Sequence, residues 1–372
     1  RGIDARITIF EPRSFYEDDR TWCFWETEAH PFTDLIRERW WHWTIRTERG
    51  ERRCSSARHP YARLRARDVY ARALEQLRAA PNVALRTGVR VRDLEGTSVH
   101  TTAGRFDADL VFDGRPPTPG SRRRPGLLQQ FVGRRVYLPE PVFDPRTCEL
   151  MDFRVPQRAG VSFLYVLPSS PREALVEATV FSRCLLPRHA LEALLDEALE
   201  RRFGSVAREL VPGGEEHGVI PMDPALGNAT SPPKVIPIGT RAGAPRPSTG
   251  YAFLPIQRHS ARLADALAAG VPSALPMRRA WTNWLDRIFL GRMRRSPAGA
   301  VEDFERMFDR VDAERLVRFL MERGSPLDQL SVMASLPKLP FLQEAARVAV
   351  ARDGDEHVGD RLRPERRRTA RP

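Results

Sequence analysis

The chain has 372 residues, 41% of them hydrophobic, and a formal net charge of +12 from 60 basic and 48 acidic side chains. That length buries a sizeable core and suggests two or three lobes, and the composition excludes a disordered chain. Basic character permits docking on an anionic surface, but aromatics are not interleaved with the basic clusters as base stacking requires, so no nucleic-acid partner is expected.

Among the basic residues only Lys234 and Lys338 are lysines. Arg122-Arg123-Arg124 and the end of the chain read as solvated, with 351–372 a disordered tail. Cys23, Cys54, Cys148 and Cys184 make no CxxC or Cys/His spacing, so they read as free thiols in a reducing compartment and no metal site is expected. No signal peptide is expected, and with no apolar run of about eighteen residues nothing is expected to span a membrane.

Arg6 to Pro12 reads as a buried strand that ends in Glu11. In dinucleotide-binding α/β folds such an acid hydrogen-bonds a ribose hydroxyl, about twenty residues after a glycine fingerprint. That fingerprint is absent, and Arg1-Gly2-Ile3-Asp4 resembles the end of its helix. Either an N-terminal piece of roughly thirty residues is lacking or Glu11 is an ordinary strand-terminal carboxylate.

Next come Thr21-Trp22-Cys23-Phe24-Trp25 and Trp40-Trp41-His42-Trp43, aromatic runs that fit a subdomain core, an apolar cavity or a membrane-facing patch. A helix is predicted over Val69–Ala80, then strands over Val83–Arg86, Val89–Leu94, Ser98–Thr101 and Phe106–Phe112. The last strand runs into Asp113-Gly114-Arg115, a strand-to-turn step of the kind that borders ligands in α/β sheets.

From Gln129 the pattern is strand-rich: Phe131–Leu138, Cys148–Val155, Ser162–Leu167 and Ala174–Phe181, an antiparallel sheet forming a second lobe. The last of these strands holds one carboxylate, Glu177. Such a residue either faces solvent on an edge strand or is buried, protonated and able to deliver a proton.

An amphipathic helix over Leu191–Phe203 follows, then the apolar strand Val235–Ile238. It leads through Gly239-Thr240-Arg241-Ala242-Gly243 and Pro247-Ser248-Thr249-Gly250-Tyr251 into a helix over Ile256–Ala269, a stretch that reads either as an anion-binding turn or as a proline-rich loop. The C-terminal third is helical, with Met277, Trp281, Trp284, Leu285, Ile288 and Phe289 on one face that reads as core.

In this order the motifs resemble the bacterial lycopene cyclases, FAD-dependent enzymes of the CrtY type. The resemblance rests on Thr21-Trp22-Cys23-Phe24, Val111-Phe112-Asp113-Gly114-Arg115, Leu150-Met151-Asp152, Val176-Glu177-Ala178-Thr179, Gly218-Val219-Ile220-Pro221-Met222, the two glycine-containing turns, and Leu336-Pro337-Lys338-Leu339-Pro340-Phe341-Leu342. It implies an α/β (α+β overall) fold: a Rossmann-like FAD-binding lobe (1–128 and 206–270), incomplete at its N-terminus, an antiparallel-sheet substrate lobe (129–205) and a helical region (271–350).

It also implies a lycopene β-cyclase, an isomerase that closes the linear ends of lycopene into β-ionone rings by way of γ-carotene. Glu177 matches the family's acid/base glutamate. The position after it usually holds a second acid and here is Ala178, while Arg20 and Trp25 stand where members often carry His. For FAD, reduced by NAD(P)H and not consumed, the resemblance implies Glu11 at the ribose, Asp113 and Gly114 near the flavin, and Gly239, Gly243, Thr249 and Gly250 at the pyrophosphate and ring. Trp22, Phe24, Trp25 and Tyr251 would line the substrate cavity.

The implied partners are lycopene, γ-carotene and a membrane surface, with other carotenoid enzymes as candidates. The implied location is peripheral, on the inner face of the cytoplasmic membrane. The alternatives are a flavin-dependent monooxygenase or reductase on a lipid-like substrate, or an inactive homologue.

Overall fold

The structure, a computed structural model, describes residues 4–116, 126–204, 210–226 and 231–360; of 210–214 and 351–360 it describes the backbone alone. Arg1–Ile3, Arg122–Arg124 and Arg361–Pro372 lie outside the described residues.

β1 (Ile7–Glu11) is followed by β2 (Thr21–Trp25), β3 (Glu38–Trp40), β4 (His42–Thr47), β5 (Gly50–Ser55) and β6 (Tyr61–Arg65). Strands β2, β6 and β3 form an antiparallel sheet in that order. Helix α1 (Ala66–Ala79) leads to β7 (Val83–Thr87), which pairs in parallel with β1, Glu11 opposite Thr87. β1 is not the buried strand expected: Ile7 is 47% exposed, because among the described residues β7 is its one neighbour.

β8 (Val91–Glu95), β9 (Ser98–Thr101) and β10 (Gly104–Asp107) make an antiparallel meander. The single strand expected over Phe106–Phe112 divides. Phe106 pairs in the meander, whereas β11 (Val111–Asp113) pairs in parallel with a strand over Val235–Pro237.

A seven-stranded sheet carries the middle of the chain. It contains β12 (Leu127–Tyr137), β13 (Thr147–Asp152), β14 (Val161–Pro168), β15 (Glu173–Ser182) and β16 (Leu210–Met222), in the order β16-β12-β15-β14-β13-β4-β5. The sheet is wider than the expected 129–205 stretch, taking in residues 42–55 and 210–222, and it is not wholly antiparallel, since β13 and β4 run parallel.

β15 sits third from one edge and has every residue after Glu173 buried, so both faces must be covered. On one face Val132, Val166, Val176, Ala178 and Val180 pack under Leu191, Leu195 and Leu199 of α2 (Arg188–Phe203). On the other, Phe163, Leu167, Leu175 and Phe181 join Trp25, Trp40, Trp43 and Tyr61. Each such side chain contributes about 1.5–3 kcal/mol on burial. The alternation of side chains along a strand therefore sends Ala178 to the helix and Glu177 to the aromatics.

After β17 (Val235–Pro237) come α3 (Phe253–Ala268), α4 (Ala280–Arg295), α5 (Pro297–Arg310), α6 (Ala313–Leu320), α7 (Pro326–Ser335) and α8 (Lys338–Asp360). Ser296 caps α5, Asp312 caps α6, and Ser325 with Asp328 makes a capping box on α7. Of the stripe read as core, Ile288 is buried but Trp281 is 49% exposed. Residues 351–360, expected to be disordered, continue α8. No helix among the described residues is long and apolar enough to cross a membrane.

Candidate active site

Glu177 and Gly133 are direct partners across β15 and β12, and on the other side of β12 Gly133 is the partner of Glu216 in β16. Opposed residues in a ladder share a face, so both carboxyls project toward the aromatic side over a residue with no side chain. A Cβ on Gly133 would lie 3.1 Å from Glu216 Cγ and 3.5 Å from Glu177 Cβ. Both glutamates are buried, at 8% exposure each.

The Thr179 hydroxyl donates to Glu177 Oε1 at 2.6 Å, and Glu216, opposite it across Gly133, is its charged neighbour. Burial first, and the negative charge of Glu216 second, push the Glu177 carboxyl up to about 8. Burial raises Glu216 as well, but a hydrogen bond from Thr21 and the guanidiniums of Arg63 and Arg135 oppose the rise. The anion therefore rests more easily on Glu216 and the proton on Glu177. Beside Glu216 is a pocket of about 10 Å³ lined by Asp18, Thr21, Arg63, Arg65 and Arg135, room for about one water.

Across β15, Glu177 is paired with Tyr165 of β14. The Tyr165 hydroxyl donates to that of Tyr61, which lies 3.4 Å from the Tyr251 hydroxyl. Trp25 packs edge-on against Tyr61 at 4.8 Å and Tyr251 at 5.6 Å. Burial pushes the Tyr61, Tyr165 and Tyr251 phenols above their ordinary range, so they stay neutral.

The four aromatics expected to line one cavity are split by the pleat of β2. Trp25, with Tyr251, belongs to the tyrosine cluster next to Glu177. Trp22 and Phe24 point the other way and meet Phe253 of α3, Phe24 stacking on it at 4.8 Å.

The residues expected at a dinucleotide occupy two other places. Glu11 holds Arg13, accepting from its backbone N–H at 2.9 Å and its guanidinium at 3.1 Å. Asp113 and Gly239 stand at the carboxyl ends of the parallel pair β11 and β17, with Ile238 N–H donating to the Asp113 carbonyl at 3.0 Å. The guanidiniums of Arg115 and Arg241 both reach the Asp113 carboxylate at 2.9 Å and hold it below the usual range. A pocket of about 430 Å³ lies at the opposite end of this strand pair, beside Asp109 and Lys234.

Gly239, Gly243 and Gly250 have left-handed φ of 58°, 82° and 75°. At Gly250 a Cβ would meet Gln129 Oε1 at 2.2 Å, and that buried oxygen has no hydrogen-bond partner. The left-handed glycines fit the close backbone approach that an anionic dinucleotide such as FAD needs, and the buried Gln129 oxygen is an open acceptor beside them. Gln129 shares the face of Gly133 about 13 Å along β12, and Tyr251 follows Gly250. The turn at Thr249–Gly250 thus borders the sheet that carries the carboxyl pair.

The sequence reading missed Glu216, Gly133, Thr179, Tyr61 and Tyr165. Glu215-Glu216 offers two adjacent acids in a strand, but which of them faces inward depends on register with β12, for which the local sequence carries no signal.

The chain matches the model of the family described as lycopene cyclase protein over residues 3–346. It belongs to the lycopene cyclase family. This family member is 28% identical over 363 residues to the lycopene beta-cyclase of Paracoccus sp. (strain N81106 / MBIC 01143), a match covering 91% of this chain and 89% of that protein. It is 27% identical over 348 residues to the lycopene beta-cyclase of Pantoea ananas, covering 88% and 85%.

Among solved structures, the cyclase-family chain is similar to a geranylgeranyl bacteriochlorophyll reductase-like protein of Thermoplasma acidophilum, with TM-score 0.57, 14% identity, and 92% and 93% of the two chains covered. It is also similar to the p-nitrophenol 4-monooxygenase PnpA of Pseudomonas putida DLL-E4, with TM-score 0.50, 15% identity and 92% of each covered. A third likeness is to pqsL of Pseudomonas aeruginosa, described as a probable FAD-dependent monooxygenase, with TM-score 0.50, 12% identity, and 85% and 93% covered. At these identities the likeness is one of fold, the mixed α/β arrangement with a Rossmann-like lobe expected from the sequence.

Proposed function

We propose that this lycopene cyclase family member is a lycopene β-cyclase that closes the linear ends of lycopene into β-ionone rings, through γ-carotene to β-carotene, without net oxidation or reduction. The observation that carries the reading is a buried carboxyl, Glu177, on a central strand, set beside a second buried carboxyl over Gly133 and against an aromatic cluster. With its carboxyl pushed up to about 8, Glu177 is protonated at neutrality and has a proton to give.

In this reading the Glu177 hydroxyl passes its proton to a terminal double bond, whose π pair forms the new C–H bond and leaves a tertiary cation. A neighbouring double bond attacks that cation and closes the ring. Loss of a ring proton to a carboxylate yields the ring alkene and restores the acid. Trp25, Tyr61 and Tyr251 offer neutral π-faces to the cation and keep water out.

FAD would be held by Glu11 at the ribose, by Asp113 and Gly114 near the flavin, and by Gly239, Gly243, Thr249 and Gly250 at the pyrophosphate and ring. Its reduced form, with NAD(P)H as reductant, would supply negative charge and π density beside the developing cation.

The substrate is a bilayer hydrocarbon, so the enzyme is read as docking peripherally on the inner face of the cytoplasmic membrane. Support comes from an apolar stripe at the end of the fold: Leu327, Leu330 and Met333 of α7 and Leu339, Leu342 and Val350 of α8 are exposed at helical spacing, with the cation Lys338 among them. Other carotenoid enzymes would meet the protein at the same membrane.

Expression of the full chain in a lycopene-accumulating bacterium tests the reading. Cyclised pigment is expected with the native chain and unchanged lycopene with Glu177→Gln. Undiminished cyclisation by Glu177→Gln would remove Glu177 as the acid; turnover of reduced nicotinamide without cyclisation would mark a redox flavoenzyme instead.

A further inference from the structure

Position 178, where the family's motif usually places a second acid, faces away from the site: Ala178 pairs with Val132 and Leu164 and packs under α2. A second carboxyl nevertheless reaches Glu177, from two strands away and some forty residues later in the chain. Glu216 meets it over Gly133, the one residue type whose lack of a Cβ leaves the space, with Leu175 closing the other side at 3.3 Å from where that Cβ would be.

The surroundings of the two carboxyls differ in charge. Around Glu216 stand Thr21 of β2, Arg63 and Arg65 of β6, Arg135 of β12, Asp18 of the preceding loop and the small polar pocket. Arg63 is itself 3% exposed and bound to Glu38 at 2.7 Å, so this cation is fixed. Around Glu177 stand Thr179 and Tyr165, both neutral, while the neutral Cys23 thiol lies near both carboxyls. Two buried carboxyls brought together over Gly133 hold one proton between them, since both cannot ionise cheaply.

We infer that Glu216 is a positioning residue for the reaction: its carboxylate carries the charge of a two-carboxyl, one-proton pair, and so assigns the proton to Glu177 on the aromatic side. The inference rests on the reading of Glu177 as the acid. When Glu177 gives up its proton to the alkene, its O–H bond breaks and both carboxyls are briefly anionic beside the new cation. Return of the ring proton to Glu177 restores the starting pair, with no other reactant required.

The test is an infrared titration of the full chain labelled with carbon-13 glutamate, the Glu177 band being assigned by subtracting the Glu177→Gln spectrum. It is read beside the pH profile of cyclisation. Glu216→Gln, which removes the neighbouring charge, is expected to lower the Glu177 midpoint by about one pH unit or more and to shift the alkaline limb of activity down with it. Glu216→Asp is expected to give a smaller shift of the same sign. An unmoved midpoint and limb in Glu216→Gln would overturn the inference.

Should Glu216→Gln not fold, the unsubstituted chain decides by itself: one carboxyl still protonated at neutrality supports the pair, and two that ionise together below about pH 5 overturn it. Undiminished cyclisation by Glu177→Gln would sink the reading of Glu177 alone, and the infrared bands would still report whether the two carboxyls share a proton.

Discussion

Gly133 lies directly across the ladder from Glu177, and its missing side chain is what lets the carboxyl of Glu216 come alongside. Gly133→Ala places a methyl group 3.1 Å from Glu216 Cγ and 3.3 Å from Leu175 Cδ1, so the neighbours must move by a few tenths of an ångström. Its φ is not left-handed, so the backbone accepts alanine. We expect a folded protein, changed in stability by under about 1 kcal/mol, that cyclises about tenfold more slowly. Pigment formation and thermal melting measure the two effects; full activity would show that the carboxyl spacing is unimportant.

The raised Glu177 carboxyl also sets a pH dependence of stability. Its folded value of about 8 lies above the 4.5 of the ordinary group, so the folded chain binds the proton more tightly. The destabilising effect therefore grows as pH rises from about 4.5 to about 8 and is absent below that window. Glu177→Gln should accordingly melt higher than the native chain at about pH 8.5, by the order of 1–3 kcal/mol, with little difference at about pH 5. Calorimetry at the two pH values measures this, and a pH-independent difference would contradict it.

Trp25 and Trp281 separate core from surface. Trp25 is 1% exposed and packs against Trp43, Tyr61 and Tyr251, so Trp25→Ala should cost about 3–5 kcal/mol. Trp281, stacked on Trp284 and 49% exposed, should cost about 1 kcal/mol or less. Denaturant midpoints of the two variants check the order.

Asp328 accepts from Arg318 at 2.8 and 3.0 Å and from the Ser325 backbone at 2.9 Å. The Arg318 hydrogen bonds hold its carboxyl at about 2. A depressed carboxylate stabilises above its unfolded value and loses that contribution as pH falls through the folded one. Asp328→Asn should therefore cost about 1–2 kcal/mol at neutral pH and progressively less between about pH 4 and pH 2. An undiminished cost at about pH 2 would show that charge plays no part.

For the α7–α8 stripe, the double variant Leu330→Glu, Leu339→Glu places two acids on its exposed face. Flotation with vesicles of anionic lipid is expected to fall about tenfold or more, while the melting temperature changes little. Equal flotation by native and variant chains would move the docking site elsewhere.

Much of the architecture was legible because β-branched and apolar runs mark strands locally. β14 and β15 appear in the sequence within one or two residues of their observed ends, and Glu177 was visible as a lone acid in an apolar run. What the sequence did not reveal depends on distant pairing. The two acids of Glu215-Glu216 look alike until β16 is registered on β12, and Tyr61, which joins the cluster beside Glu177, lies far away in the chain. The parallel pairing of β13 with β4 and the half-exposed β1 belong to the same class: composition says strand, and only the partner says which kind.

Lys338 and Lys234 are the two lysine side chains of the protein. Lys338 opens α8 amid the exposed leucines, and Lys234 lies beside the start of β17, 63° on the left-handed side of φ. Amine-directed dyes therefore have just two lysine targets, and a Lys234→Arg variant leaves one, seated within the patch assigned to the bilayer. A polarity-sensitive fluorophore there would report immersion directly, without the site selection that a lysine-rich surface demands.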